Sequence, residues 1–302
     1  MAATGAMAAT IVMTGATSGI GAVAAARLGP GNRLIVGARN GNVAGAETLP
    51  LDLASLASVR GFANNVVAAL AGGTIDALVL NAGVQFADVT ARSAEGYELT
   101  FATNHLSHYL LIRLLLPHLG EGGRIVMTTS DTHDPAEKTI VAPPNHADAD
   151  RLAHPDRDPA RDTGPLTAAM RAYSTSKLCN LMTVRSLAVR PEVTARRLTV
   201  LAYSPGLTPS TGLARSLPFA IRTLAWPLLP LLQGFMPFMN SLKDAGSALA
   251  ALASDVEPPP GRGYTSLRKG VLTWPDPSLL ARDDAVAARL WADSARLVGL
   301  PG

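Results

Sequence analysis

The stretch Thr10-Ile11-Val12-Met13-Thr14-Gly15-Ala16-Thr17-Ser18-Gly19-Ile20-Gly21 decides the fold. Residues 10–13 are β-branched or apolar and read as a buried strand, and residues 20–28 read as a helix. Between them the glycines follow a Gly-x-x-x-Gly-x-Gly spacing. Such a turn lets the backbone approach a pyrophosphate, whose charge then sits at the N-terminus of the following helix. A strand, a glycine turn and a helix in this order open a parallel α/β sheet.

Working outward, the alternation continues. Strands are expected at 33–37, 49–51 (the end of a third strand), 77–80, 124–128 and 198–202. Helices are expected at 59–70, at 97–116 (ended by Pro117) and at 172–188. Further helices follow at 242–253 and 284–298, with a loop at 257–263. The fold class is therefore a Rossmann-type doubly wound parallel sheet, with residues 1–302 as a single domain. Only a few residues separate Arg39 from Glu47, although parallel neighbours normally need a crossover of about a dozen or more. Either the crossover helix has shrunk to a turn, or the third strand is misplaced.

Two stretches break the pattern. Residues 134–165, rich in Pro, Asp, Ala and Arg, read as a surface insertion, and 207–245 read as a substrate lid. Within the latter, 217–239 is strongly apolar, but Pro218, Pro227, Pro230, Pro237 and Arg222 interrupt it. A membrane span wants about 20 continuous apolar residues, so no span is expected, and weak interfacial association stays open.

Composition narrows the classes further. With 48% hydrophobic and 16% charged residues the chain can build a large core, which excludes disorder. The net charge of +3 comes without a basic run, so no nucleic-acid partner is expected. The single cysteine, Cys179, excludes an intramolecular disulfide and a cysteine-based zinc site. No metal site is expected, although His146 and His154 sit among aspartates. Residues 1–10 lack a basic leader, so no signal peptide is read and a cytoplasmic location is expected.

Four positions carry chemistry. Tyr173 and Lys177 stand at i and i+4 on one helix face, where an ammonium favours the phenolate and should pull the phenol's pKa down from about 10. Five Tyr and four Lys predict only about 0.07 such pairs by chance, so the pair is a signal. A tyrosine so tuned can give a proton to a carbonyl oxygen or take one from an alcohol. Ser130 follows the fifth strand, at the carboxyl edge where ligands bind in such sheets, and could hydrogen-bond the same oxygen. Arg39 ends the second strand where an NAD-specific protein would offer an acidic residue, and its guanidinium suits a 2′-phosphate. His133, three past Ser130, is a candidate for the site mouth.

Taken in order, these residues resemble the short-chain dehydrogenase/reductase family. The matching string is Thr14 to Gly21, Asp52-Leu53, Asn81-Ala82-Gly83, Asn104, Ser130, Tyr173-x-x-x-Lys177 and Pro205-Gly206. The resemblance implies a catalytic tetrad of Asn104, Ser130, Tyr173 and Lys177. Tyr173 would be the acid/base, Ser130 would orient the carbonyl, and Lys177 would bind the nicotinamide ribose. Asn104 would hold a helix bend and a proton-relay water. Gly15, Thr17, Ser18, Gly19, Ile20, Gly21, Arg39, Asp52, Leu53, Asn81, Ala82, Gly83, Pro205 and Gly206 would contact the cofactor.

Phrases such as Thr103-Asn-His-Leu-Ser-His108 and Ser176-Lys-Leu-Cys-Asn180 are similar to the branch of retinol dehydrogenases, WW-domain oxidoreductase and protochlorophyllide reductase. That branch mostly favours NADP(H), in agreement with Arg39; NAD(H) is the alternative. Two features depart from the pattern: Ser130 and Tyr173 lie 43 positions apart, and Leu207 stands where protochlorophyllide reductase carries a functional cysteine. Light-driven ring reduction is therefore disfavoured.

The expected activity is NADP(H)-dependent hydride transfer to or from a carbonyl or alcohol carbon of a bulky lipophilic small molecule. The alternatives are an ene reductase acting on C=C bonds and a non-catalytic NADP-binding regulatory protein. The resemblance also implies a homodimer paired through the Asn104 and Tyr173 helices.

Overall fold

The computed structural model describes residues 8–137, 139–208 and 239–302. The N-terminal half runs β1 (Thr10–Thr14), α1 (Gly19–Leu28), β2 (Arg33–Ala38), β3 (Glu47–Pro50), α2 (Leu56–Leu70) and β4 (Ile75–Leu80). Then come α3 (Leu99–Phe101), α4 (Ser107–Leu115), β5 (Leu119–Thr128), α5 (Ala149–Ala153), α6 (Pro165–Ala188) and α7 (Pro191–Thr194). The chain closes with β6 (Thr199–Ser204), α8 (Leu242–Ser254), β7 (Tyr264–Arg268), β8 (Val271–Thr273) and α9 (Asp284–Leu297). The eight strands form one sheet in the order β3-β2-β1-β4-β5-β6-β7-β8, parallel except for β8.

Both faces of the sheet are covered, which is why its strands are apolar in both registers. On one face Val12, Ile35, Leu78, Ile125 and Val200 pack under α2, α4, α6 and α9. On the other, Ile11, Met13, Val36, Val79 and Leu201 pack under α1 and α8. Helix α8 is tight on α1: a Cβ on Gly246 would lie 2.4 Å from Val23 Cβ.

The doubtful third strand exists. β3 pairs in parallel with β2, Ile35 opposite Glu47, so the crossover has shrunk to a turn. Val43 and Ala46 of that turn pack against the α1-side core in place of a crossover helix.

Several expected boundaries are corrected. The helix placed at 97–116 is interrupted by a wider π-type turn over Ala102–Leu106 before α4 resumes. Helix α6 begins at Pro165 rather than Ala172, with the proline in the first turn, where its missing N–H costs no hydrogen bond. Pro165 thus belongs to the helix and not to the insertion. The rest of the insertion holds short helical turns and α5, tied by Arg171–Asp162, His146–Asp158 and Arg92–Asp156 pairs. Strands β7 and β8 were not anticipated. The expected lid lies largely outside the described residues, as do the apolar prolines at 218–237. Among the described residues, no helix is long and apolar enough to cross a membrane.

Candidate active site

The parallel strands bring the sequence motifs to one edge. The glycine turn follows β1, Arg39 follows β2 and Asp52 follows β3; Asn81 to Gly83 follow β4, Ser130 follows β5 and Pro205-Gly206 follow β6. All therefore lie at carboxyl ends of strands, the ligand-binding edge of such sheets.

Glycine is required in the first turn by close approach. A Cβ on Gly15, whose φ is +70°, would lie 2.7 Å from the Ala82 backbone, and one on Gly21 would lie 1.9 Å from Gly15 O. Asn81 locks the turn, its Nδ2 donating to Gly15 O at 3.2 Å while its Oδ1 accepts from Thr128 Oγ1 at 3.2 Å. Helix α1 is preceded by Ser18, whose side chain does not cap it, and has no acidic residue in its first turn. Its leading N–H groups are thus left for an anion. Thr17 and Ser18 are exposed there.

The tetrad residues meet beside this turn. Tyr173 is 8% exposed, and burial pushes its phenol up to about 12, with the Ser130 hydroxyl the neighbour that opposes the rise. Lys177 Nζ donates to Thr128 O at 3.2 Å and lies 5.8 Å from the Tyr173 ring centre. Burial pushes its ammonium down to about 8. This corrects the expected depression of the phenol's pKa: desolvation dominates both groups, and Lys177 is not among the groups that lower Tyr173.

Asn104 sits in the π-type turn with its side chain held at three points. Its Oδ1 accepts from Val84 N at 2.8 Å, and its Nδ2 donates to Val84 O at 2.9 Å and to Ser176 Oγ at 3.0 Å. Gly83 closes the gap, since a Cβ there would lie 3.0 Å from Lys177 Nζ.

A buried histidine ties these parts together. Thr14 Oγ1 accepts from the N–H groups of Asn81 (3.1 Å) and Ala82 (3.2 Å), so its own proton goes to Nε2 of His108 at 3.0 Å. The Nδ1–H of His108 then donates to Asn104 O at 3.0 Å, which fixes a neutral tautomer. His108 thus joins the glycine turn to the Asn104 turn. Its i, i+4 position relative to Asn104 was the only hint in the sequence. Burial pushes His108 down to about 4 and His105 down to about 3.

Those two shifts set a stability expectation. Both folded-state values lie below the ordinary 6.5, so the unfolded chain takes up protons first as the pH falls. Their contribution is complete above pH 6.5 and is lost from there down to about 4 for His108 and about 3 for His105. At pH 5.5 each costs about 1.4 kcal/mol, about 3 kcal/mol together. The melting temperature should fall between pH 7.5 and 5.5, with a shallower slope in His108→Gln. An equal slope in wild type and variant would contradict this.

Other expected residues stand apart. Arg39 is exposed and has no hydrogen-bond or ion-pair partner among the described residues. The Asp52 carboxylate accepts from Ala54 N at 3.0 Å, closing the turn into α2, and Leu53 is 8% exposed within the core. Pro205 O accepts from Asn240 Nδ2 at 3.0 Å. His133, expected at the site mouth, is instead buried at 2% exposure behind Ser130. Cys179 is fully buried, and burial pushes its thiol up.

Comparison with known proteins places this arrangement. The short chain dehydrogenase family model matches residues 9–140. A chloroplastic protochlorophyllide reductase of Chlamydomonas reinhardtii is 33% identical over 317 residues, covering 96% of this chain and 78% of the relative. Retinol dehydrogenase 12 of Bos taurus is 30% identical over 309 residues, covering 96% and 86%. A crystal structure of an uncharacterised protein from Mycobacterium paratuberculosis superposes with a TM-score of 0.69 at 29% identity, covering 97% and 94%. A blue fluorescent protein from a metagenomic library, solved with NADPH, shares the fold at a TM-score of 0.57 and 22% identity, covering 82% and 91%. With the sheet order and two relatives matched along 96% of the chain in agreement, the chain belongs to the short-chain dehydrogenase/reductase family of oxidoreductases.

Proposed function

We propose that this protein transfers a hydride between NADP(H) and a carbonyl or alcohol carbon of a bulky apolar small molecule, with Tyr173 as the proton donor and acceptor. The observation that carries the reading is the buried Tyr173 phenol facing the Ser130 hydroxyl, with Lys177 and Asn104 fixed beside it.

The residues present fit a nicotinamide dinucleotide. The Gly15–Gly21 packing admits no side chain, and the uncapped N-terminus of α1 suits a pyrophosphate. Gly15, Thr17 to Gly21, Asn81 to Gly83 and Pro205-Gly206 would hold the cofactor along the strand ends, with Asp52 and Leu53 on the adenine side. When bound, the cofactor supplies the hydride donor or acceptor.

The chain's own residues handle the proton. With its pKa pushed up to about 12, the Tyr173 phenol is protonated at neutral pH and can donate to a carbonyl oxygen. The Ser130 hydroxyl gives that oxygen a second hydrogen bond. Lys177 places a cation near the phenolate left behind and would reach the nicotinamide ribose. Asn104 holds the α3–α4 turn open beside them.

The two NADP-related observations are Arg39 at the end of β2 and the NADPH-bound structural neighbour. Losing one charge-assisted contact costs about 1.5–3 kcal/mol. Arg39→Ala should therefore raise the Kd for NADPH about 10- to 100-fold and leave that for NADH nearly unchanged. An equal effect on both would assign the 2′-phosphate elsewhere.

NADPH consumption against hydrophobic ketones, aldehydes and activated alkenes tests the activity itself. Turnover on C=O substrates supports the reading; turnover confined to C=C bonds, or tight NADPH binding without turnover, overturns it. The homodimer expected through α4 and α6 is checked by solution mass; within one chain α9 packs along α6 and residues 107–112 and 173–184 are buried, so these helices offer little free face to a second copy.

A further inference from the structure

Ser130 is gripped from behind by side chains that none of the sequence motifs contains. The next residue, Asp131, is 6% exposed. Its carboxylate accepts from Tyr264 Oη at 2.8 Å and Ser266 Oγ at 2.9 Å, and it lies 3.3 Å from the Arg268 guanidinium. Tyr264, Ser266 and Arg268 are alternate residues of β7, so one face of a single strand delivers all three donors. The Asp131 N–H donates to Ser204 Oγ at 3.0 Å, at the end of β6.

The preceding carbonyl is held as well. Ser130 O accepts from His133 Nδ1 at 2.7 Å, and His133 Nε2 accepts from Ser278 N at 3.3 Å. The His133 ring stands edge-on to Tyr264 with centroids 5.3 Å apart. A buried carboxylate with this many donors is fully satisfied, so it is not a spare acid or base. Its position, one residue beyond Ser130, makes it an anchor for the backbone that aims the Ser130 hydroxyl.

We infer that Asp131, held by the Tyr264–Ser266–Arg268 face of β7, is the positioning residue that orients Ser130 toward Tyr173 for catalysis. This rests on the roles proposed above for Ser130 and Tyr173. A misplacement of about 1 Å at a reacting group costs about 100-fold in rate, so the anchor has a measurable effect.

The test is a double-mutant cycle in the full-length chain, using NADPH and a ketone that wild type reduces. Asp131→Asn should lower kcat about 10- to 100-fold and leave the NADPH Kd within about twofold. In a Ser130→Ala background the same substitution should change kcat by less than about threefold, because its effect passes through Ser130. Tyr264→Phe keeps the Asp131–Arg268 pair, should show a smaller loss of the same kind, and serves if Asp131→Asn fails to fold. Unchanged kcat in Asp131→Asn and Tyr264→Phe, or an equal loss with and without Ser130, overturns the inference. Wild-type turnover in Ser130→Ala is a different outcome, overturning the role of Ser130 on which the inference stands.

Discussion

Replacing Tyr173 with Phe is expected to lower kcat by about 10²- to 10⁴-fold while NADPH still binds. The ring is buried, and phenylalanine refills its volume, so the change removes one oxygen and little packing. That oxygen is the proton-bearing group that faces the Ser130 hydroxyl, with the Lys177 ammonium beside its ring. Lys177 keeps its bond to Thr128 O and Asn104 keeps its three contacts, so the surroundings stay in place. The direction of the pKa shift adds a second readout. A phenol pushed up to about 12 favours carbonyl reduction at neutral pH, and alcohol oxidation should gain rate as the pH rises. Steady-state kinetics in both directions, with NADPH binding by fluorescence titration, check this. Near-normal turnover in Tyr173→Phe would end the proposed mechanism.

Gly21→Ala should abolish dinucleotide binding and destabilise the fold. The added Cβ would lie 1.9 Å from Gly15 O, 2.6 Å from Asn81 Nδ2 and 2.8 Å from Gly15 C. Two of these are backbone atoms of the turn, which cannot swing aside as a side chain does. The overpacking cost is about 3 kcal/mol or more. Relief requires the turn to move, which breaks the Asn81–Gly15 and Asn81–Thr128 bonds. Gly19 is the control: a Cβ there meets nothing within 4 Å, and only its φ of +59° resists substitution. Gly19→Ala should therefore cost about 1–2 kcal/mol from backbone strain alone. Thermal melts of the two variants should differ clearly; equal melting temperatures would refute the clash.

The parts of the fold that could be read from sequence were those with local signatures. The glycine turn, the Tyr173–Lys177 spacing and the residues at the ends of β1 to β6 all announce themselves within a few positions. The β2–β3 turn was legible as a contradiction, and the structure settled it in favour of the strand. Strands β7 and β8 were not legible. They are five and three residues long, joined by Lys269 and Gly270 at φ +49° and +74°. That is a two-residue hairpin turn with a lysine where Asn-Gly or Asp-Gly gives the usual signal. Helix α6 could have been started correctly from Pro165, whose place in a first turn is a known signature. The depressed phenol expected from Lys177 failed for another reason: spacing shows adjacency, but burial decides the sign.

The anchor behind Ser130 also bears on when the molecule is finished. Tyr264 and Asp131 are 133 residues apart in the chain, Ser266 and Asp131 are 135 apart, and Ser278 and His133 are 145 apart. Contacts of such separation close large loops and form late in folding. A nascent chain could pair β1 through β5 on the ribosome with Asp131 still facing water. The shell around Ser130 is completed only when the C-terminal segment emerges and β7 docks beside β6. Translation beyond Ser278 thereby becomes a condition for the site's assembly.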